Sequence, residues 1–245
     1  MPVFFIHSQD VVDGVVTITD PLLSHISKSL RTKPGDSLLF NDDRGHRYHT
    51  TVDQITKQTL QATIQQLEAP PLSTRPTIIL AQALLKGEKM GWVIQKATEL
   101  GVAAIIPLIT DRVILKLSGN KGEPHQARWK RIALEAAQQS ERWTLPTILP
   151  LQTFQQFIES NQERPPIIMA ERAEGISLLT IPCSTEKPGS GITIIIGPEG
   201  GWSAEELEAA QSHKCVFASF GKEILRAETA SLAALAILQA RFNAN

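Results

Sequence analysis

The chain has 245 residues, 42% hydrophobic and 20% charged, and 24 Lys plus Arg against 25 Asp plus Glu leave a formal net charge of −1. This is the composition of an ordinary globular chain large enough for one big domain or two small ones, and it argues against a protein that holds nucleic acid mainly through bulk positive charge. Met1 to His7 lacks a basic run and a long apolar stretch, and no segment approaches transmembrane length, so a cytoplasmic protein without a membrane span is expected.

The first seventy residues read as strands. Phe4 to Ile6, Val11 to Thr19, Ser37 to Phe40, Arg47 to Ile55 and Thr59 to Leu67 carry β-branched or alternating residues. Turns fall at Lys33-Pro34-Gly35-Asp36 and Asp42-Asp43-Arg44-Gly45, and Asp20-Pro21 supplies an N-cap and first-turn proline for a helix to about Leu30. Five strands and one helix predict a small barrel over residues 1–70. His46 and His49 read as solvated hairpin residues. A proline-rich junction, Glu68 to Pro76, ends this part.

From residue 74 to 245 the pattern alternates between apolar strands and helices, which predicts an α/β domain. The strands are Thr77 to Ala83, Ala103 to Ile109, Ile167 to Ala170, Ile192 to Ile196 and Lys214 to Ser219. The helices are about Glu88 to Leu100, Pro124 to Gln139, Phe154 to Ser160, Ser203 to Ser212 and Ala227 to Phe242. Met90, Val93, Ile94, Ala97 and Leu100 make one apolar stripe, a core face. Glu171 to Gly191, with two prolines, reads as a long surface loop. The last helix is rich in alanine and suits a close packing contact or a subunit interface.

Two stretches carry the chemistry. Ile194-Ile195-Ile196-Gly197-Pro198-Glu199-Gly200-Gly201-Trp202-Ser203 is a buried strand that turns on glycines into a helix, and Phe220-Gly221-Lys222-Glu223-Ile224-Leu225-Arg226-Ala227-Glu228-Thr229-Ala230 repeats that logic. Ser203 and Glu206 have capping-box spacing, so the helix start satisfies its own amides. Glu199, Glu205, Glu206 and Glu208 make the same place unfavourable for phosphate, and a ligand with little negative charge, or a cationic one, fits better. Neither G-x-x-x-x-G-K-[ST] nor G-x-G-x-x-G occurs, which sets ATP, GTP and NAD aside together.

Cys183 and Cys215 match no redox or zinc spacing and the six histidines show no ligand pattern, so free thiols and metal-free chemistry are expected. From Asp111 to Arg142, seven basic residues (Arg112, Lys116, Lys121, Arg128, Lys130, Arg131, Arg142) face four acidic ones, whereas the first seventy residues hold six basic and eight acidic. Such a stretch is either a solvated helix face or a phosphate contact.

The pair G-P-E-G-G-W-S-x-x-E and F-G-x-x-I-L-R-x-E-T-A resembles the small-subunit ribosomal RNA (uracil-N3)-methyltransferases of the RsmE type, in the SPOUT superfamily. Phe220 stands where that family usually has Leu. Further likenesses are Lys86-Gly87-Glu88-Lys89-Met90, Gln95 to Val102, Pro107 and Glu135 to Arg142. His25 to Arg31, with Lys33-Pro34-Gly35-Asp36, is a looser N-terminal match.

The resemblance implies a PUA-like β-barrel that helps to hold RNA, then a SPOUT domain whose segment from about 192 to 242 forms a deep trefoil knot around S-adenosyl-L-methionine, in a homodimer. The implied reaction moves the cofactor's methyl group to N3 of a uridine in 16S ribosomal RNA, within the small ribosomal subunit or its precursor. N3 lies on the pairing edge, so the target base must be unpaired or flipped out.

In this frame the catalytic candidates are Arg226, to stabilise charge on a uracil oxygen, and Glu199 and Glu228, to orient groups or relay a proton. The cofactor candidates are Met169, Ala170, Glu171, Ile196, Gly197, Pro198, Glu199, Gly200, Gly201, Ser219, Phe220, Gly221, Ile224, Leu225 and Thr229. The RNA candidates are His25, Lys28, Arg31, Gln139, Arg142 and Arg172, with Gln139 and Arg142 expected to share a helix face. A methyltransferase with another RNA target, a non-catalytic RNA-binding protein and a phosphate-cofactor enzyme remain as alternatives, and no general base is identifiable.

Overall fold

The computed structural model describes residues 3–71, 76–113, 122–160, 165–171, 176–181 and 191–243. Residues 72–75 of the proline-rich junction, Lys116 and Lys121 of the basic stretch, Arg172 and Cys183 lie outside the described residues, as does the side chain of Lys28. The chain forms two compact units. One is Met1–Leu72 with Ala137–Leu145, and the other is Ser73–Ala136 with Pro146–Asn245.

The first unit contains β1 (Val3–Phe5), β2 (Val11–Val12), β3 (Val15–Ile18), α1 (Leu22–Ser29), β4 (Ser37–Asn41), β5 (Arg47–Ile55) and β6 (Leu60–Glu68). They form one six-stranded sheet in the order β1-β4-β5-β6-β3-β2. The β1–β4 pair is parallel and the others are antiparallel. Among the described residues β1 and β2 are the two ends of this ladder and are not paired with each other.

The sixth strand arises because Val11 to Thr19 is a hairpin, not one strand. Asp13 and Gly14 take φ of 49° and 80° between the paired residues Val12 and Val15. Two successive positive φ values make the tight turn for which Asp-Gly is favoured.

Alternation along β5 sends Tyr48, Thr50 and Val52 inward, where Val52 joins Phe4, Phe40, Leu60 and, from α1, Leu23 and Ile26. Helix α1 begins one residue later than expected, with Pro21 at the cap position, yet Asp20 Oδ1 still accepts from the Ser24 amide at 3.0 Å and satisfies one amide of the first turn. Burial opposes ionisation of Asp42, but it is outweighed by the Tyr48 hydroxyl at 2.7 Å and the His46 and Arg44 amides, so the carboxyl stays below its ordinary range. His46 and His49 lie within 3.1 and 2.9 Å of Asp42 and Glu68, and are therefore paired hairpin residues, not merely solvated ones.

The second unit contains β7 (Thr77–Ala83), α2 (Lys89–Glu99), β8 (Ala104–Ile109), α3 (Gly122–Gln139, whose last three residues count with the first unit), β9 (Thr147–Ile148), β10 (Gln152–Thr153) and α4 (Phe154–Ser160). It continues with β11 (Ile167–Met169), β12 (Ile176–Ser177), β13 (Gly191–Ile196), α5 (Ala204–Ser212), β14 (Val216–Ser219) and α6 (Ala227–Asn243). The sheet runs β10-β8-β7-β13-β11-β14-β12, with β9 also on β8. Every pair is parallel.

Runs such as Ile194-Ile195-Ile196 follow from burial on both faces. Leu80, Ile105, Ile194 and Ile196 pack with Met90 and Val93 of α2 and Leu235 and Leu238 of α6. Ala81, Ile106, Ile168 and Ile195 pack on the opposite face with Phe157 and Ile158 of α4 and Ala210 of α5. Burying each such isoleucine contributes about 1.5–3 kcal/mol. Cys215 lies in this second layer, its thiol pushed up to about 11 by burial.

The strands β9, β10 and β12 were not expected, because two residues are too few for a period to register. The expected surface loop Glu171 to Gly191 is also different over 176–181. Ile176 and Ser177 pair with β14, Leu178 and Ile181 are buried, and Arg241 of α6 donates to the Leu178 and Ile181 carbonyls at 2.8 Å.

Candidate functional site

The parallel order places β13, β11 and β14 side by side, with Ile168 beside Ile195 and Met169 beside Ala218. Their carboxyl ends therefore open at one edge of the sheet, the usual place for a ligand in such folds. A cavity of about 400 Å³ lies there. Its lining includes Met169, Ala170 and Glu171 after β11, Ile196 to Trp202 after β13, and Ser219, Phe220, Gly221, Glu223 and Leu225 after β14.

The glycine loop after β13 is a fixed wall. Gly201 donates its amide to the Pro198 carbonyl at 3.0 Å, and Arg112 Nη1 donates to the Gly200 carbonyl at 3.1 Å. Trp202 donates its indole N–H to the Met169 carbonyl at 2.9 Å, and its ring lies 5.0 Å from that of Phe154. One side chain thus ties two of the three strand ends together, with an aromatic contact beneath it.

The helix beyond that loop is capped as its spacing predicts. Ser203 Oγ accepts from the Glu206 amide at 3.1 Å, and Glu206 Oε2 accepts from the Ser203 amide at 2.9 Å. Glu206 Oε1 takes the Asp111 amide at 2.9 Å, and Ser203 Oγ donates to Asp111 Oδ2 at 2.6 Å. Burial is the main cause that raises the Glu206 pKa, against these hydrogen bonds. Ser203→Ala is expected to lower stability by about 1–2 kcal/mol, as loss of the cap is joined by loss of the Asp111 partner; urea denaturation would measure it.

The electrostatics at the cavity follow from its acids. Glu171, Glu199 and Glu223 line it, against Arg112 among the described cations. Such a lining favours a ligand that carries positive charge. Glu199 Oε1 accepts from the Lys86 amide at 3.3 Å and from Lys89 Nζ at 3.2 Å, and Lys89 Nζ also lies 3.3 Å from Glu228 Oε1. Burial would raise the Glu199 pKa, yet its own backbone amide and Lys89 outweigh this and hold the carboxyl below its ordinary range. A group so held is a weak base. Glu228 Oε2 is buried and makes no hydrogen bond.

Thirteen of the fifteen cofactor candidates line the cavity, while Ile224 and Thr229 are exposed and do not. Arg226 sits between the lining residues Leu225 and Ala227, with its side chain exposed. Its carbonyl accepts from the Ala230 amide at 2.8 Å, which fixes its backbone at the start of α6. Glu199 and Glu228 are brought together by Lys89, which the residue types alone did not indicate. Trp202, Arg112, Leu207, Ala218, Glu223, Ala227 and Ala230 also line the cavity. Trp202 stood inside the first motif, but no spacing rule links Arg112 or Lys89 to loops some ninety or more residues away.

Five of the six RNA candidates belong to the first unit, and the sixth, Arg172, lies outside the described residues. His25 lies exposed on α1, its ring 6.1 Å from that of Phe4, and Arg31 is exposed beyond the helix with φ of 53°. Gln139 and Arg142 do not share a helix face. Helix α3 ends at Gln139, Glu141 takes φ of 51° in the turn that follows, and Arg142 lies just beyond that turn. Gln139 is exposed, whereas burial pushes the Arg142 pKa down to about 10. Beside it, Arg47 lies 4.0 Å over the Trp143 ring and donates to the Glu141 carbonyl at 2.8 Å.

A parallel α/β sheet with an acid-rimmed cavity at its strand ends, on a chain that also carries a separate strand-rich unit, defines a small-molecule-binding protein with a second, accessory unit. The chain belongs to the RNA methyltransferase family: residues 73–239 match its RNA methyltransferase domain, and residues 18–65 match the RNA methyltransferase PUA domain. It is 35% identical over 237 residues to the ribosomal RNA small subunit methyltransferase E of Synechocystis, covering 95% of this chain and 75% of that one. It is 30% identical over 226 residues to the Bacillus subtilis protein of the same name, covering 91% and 88%. Among solved structures, the small subunit methyltransferase E of Neisseria gonorrhoeae bound to S-adenosyl methionine is similar, with a TM-score of 0.87, 29% identity and coverage of 99% and 98%.

Proposed function

We propose that this chain methylates N3 of a uridine in 16S ribosomal RNA of the small subunit or its precursor, with S-adenosyl-L-methionine as methyl donor. The observation that carries the reading is the cavity itself, with its glycine loop and three lining carboxylates at adjoining strand ends. The residues fit the cofactor. A Cβ on Gly197 or Gly200 would meet a neighbour at 3.0 Å, so the loop backbone lies at closest approach, and the acids complement a positive sulfur. Met169 to Glu171, Ile196 to Gly201, and Ser219 to Gly221 with Leu225 would hold it, largely through backbone groups. When bound, the cofactor supplies an electrophilic methyl group on a sulfonium.

The chain's own part is to place the base and hold charge. Uracil N3 must pass its proton to solvent water before or during its attack on the methyl carbon, which leaves negative charge shared with O2 and O4. Arg226 presents its guanidinium fork to one of these oxygens. Glu199 stays ionised beside Lys89 and acts as fixed charge, while Glu228 shares the same ammonium through Oε1 and orients the helix start that follows Arg226. His25, Lys28, Arg31, Gln139, Arg142 and Arg172 are proposed contacts to RNA in the first unit and in the segment after β11; Gln139 and Arg142 act separately, since they do not share a face.

The arrangement of the last strands supports a threaded chain over about 192–242. Strand β13 enters between β7 and β11, and β14 enters between β11 and β12, so each is seated between strands that precede it. A trefoil knot, a homodimer and a cytoplasmic site of action complete the reading.

The test is transfer of labelled methyl from S-adenosylmethionine to ribosomal RNA in purified small subunits, followed by reverse transcription. Label with a stop at one uridine is the expected result. Cofactor binding without labelled small-subunit RNA would point to another RNA target, and absence of cofactor binding would leave an RNA-binding protein only.

A further inference from the structure

The stretch Lys86-Gly87-Glu88-Lys89-Met90 opens α2, far in sequence from either glycine turn, and Lys89 is the side chain that connects them. Its ammonium lies 3.2 Å from Glu199 Oε1, on the loop after β13, and 3.3 Å from Glu228 Oε1, in the first turn of α6. The same Glu199 oxygen accepts from the Lys86 amide at 3.3 Å, so α2 and the turn that leads into it hold the first glycine turn at two points. Glu228 stands two residues after Arg226, whose carbonyl accepts the α6 hydrogen bond from Ala230. The helix start that carries Arg226 is thereby tied to the wall of the cavity.

Two carboxylates that converge on one ammonium repel each other once it is removed. Their charges then push the two turns apart. The second Glu228 oxygen is buried without a hydrogen bond, so among the described residues the carboxylate depends on Lys89 for its charge partner.

We propose that Lys89 is a positioning residue for methyl transfer: it sets the separation of the two glycine turns through Glu199 and Glu228 and holds Arg226 at its working place. This rests on the methyltransferase reading. A misplacement of about 1 Å in a catalytic group costs up to about 100-fold in rate.

The experiment compares the full-length parent with Lys89→Met, Lys89→Arg, Glu199→Gln and the Lys89→Met/Glu199→Gln double variant. Each is measured for kcat on small subunits and, by calorimetry, for Kd of S-adenosylhomocysteine. For Lys89→Met, kcat is expected to fall about 10- to 100-fold while Kd changes less than about threefold. Lys89→Arg should keep kcat within about threefold, because it restores the bridging charge, and the double variant should recover part of the loss, because it removes the repulsion.

An unchanged kcat in Lys89→Met overturns the proposal. So does a loss confined to Kd, which would make Lys89 a part of the cofactor wall alone. Should Lys89→Met not fold, the double variant compared with Glu199→Gln decides by the same criteria. A parent protein without methyl transfer would instead remove the reading on which the proposal stands.

Discussion

Arg226→Ala is expected to lower kcat by about 10²- to 10³-fold while the affinity for S-adenosylmethionine stays within about threefold. The loss corresponds to about 2.7–4 kcal/mol of transition-state stabilisation, the usual contribution of one donor aimed at a developing oxyanion. The side chain is exposed, and among the described residues its guanidinium has no hydrogen-bond or ion-pair partner, while its backbone is fixed at the start of α6. An arginine with a fixed base and unused donors is free to meet an incoming anion. The amino end of α6 adds favourable partial charge at the same place. Arg226→Lys should recover only part of the rate, since an ammonium lacks the planar fork. Single-turnover methylation of small subunits, with cofactor binding measured separately, checks both statements. A fully active Arg226→Ala protein would remove this arginine from the mechanism.

Much of this architecture was readable because its signals are local. The apolar runs of β7 and β13, the Ser203 and Glu206 capping box and the alternation along β5 each encode burial or a cap within a few residues, and the structure places them accordingly. The Asp13-Gly14 hairpin was equally local but was obscured by the continuous β-branched residues on either side of it. Segment 176–181 could not be recognised, since its order comes from partners far along the chain: β14 and the Arg241 guanidinium. The same holds at the site. The walls of the cavity follow strand ends, which the sequence marks with glycines. The bonds that set those walls come from Arg112, Trp202 and Lys89, and their partners are chosen by the fold.

Gly200→Val is expected to weaken S-adenosylmethionine binding by at least about 100-fold, a loss of about 2.8 kcal/mol at 1.4 kcal/mol per tenfold. The three loop glycines are required for different reasons, and the difference sets the order of effects. At Gly200 an added Cβ would lie 3.0 Å from Arg112 Cβ and 3.3 Å from the Arg112 carbonyl oxygen. A Cβ is fixed by its own backbone and the carbonyl is part of it, so neither can swing aside; the loop itself must shift, and the loop is the cavity wall. At Gly197 the obstacle is the Trp202 ring at 3.0 Å, held by its bond to Met169 and its contact with Phe154. Displacing that ring would disturb two strand ends together. At Gly201 nothing lies within 4 Å, and the constraint is φ of 71° alone. Gly201→Ala therefore costs only the left-handed strain of about 1–2 kcal/mol, and its binding loss should be about tenfold or less. Calorimetric titration of the three variants, with circular dichroism as the folding control, tests the ranking. If Gly200→Val binds the cofactor as the parent does, the loop after β13 is not the wall of the site, and the acidic rim would have to act on some other ligand.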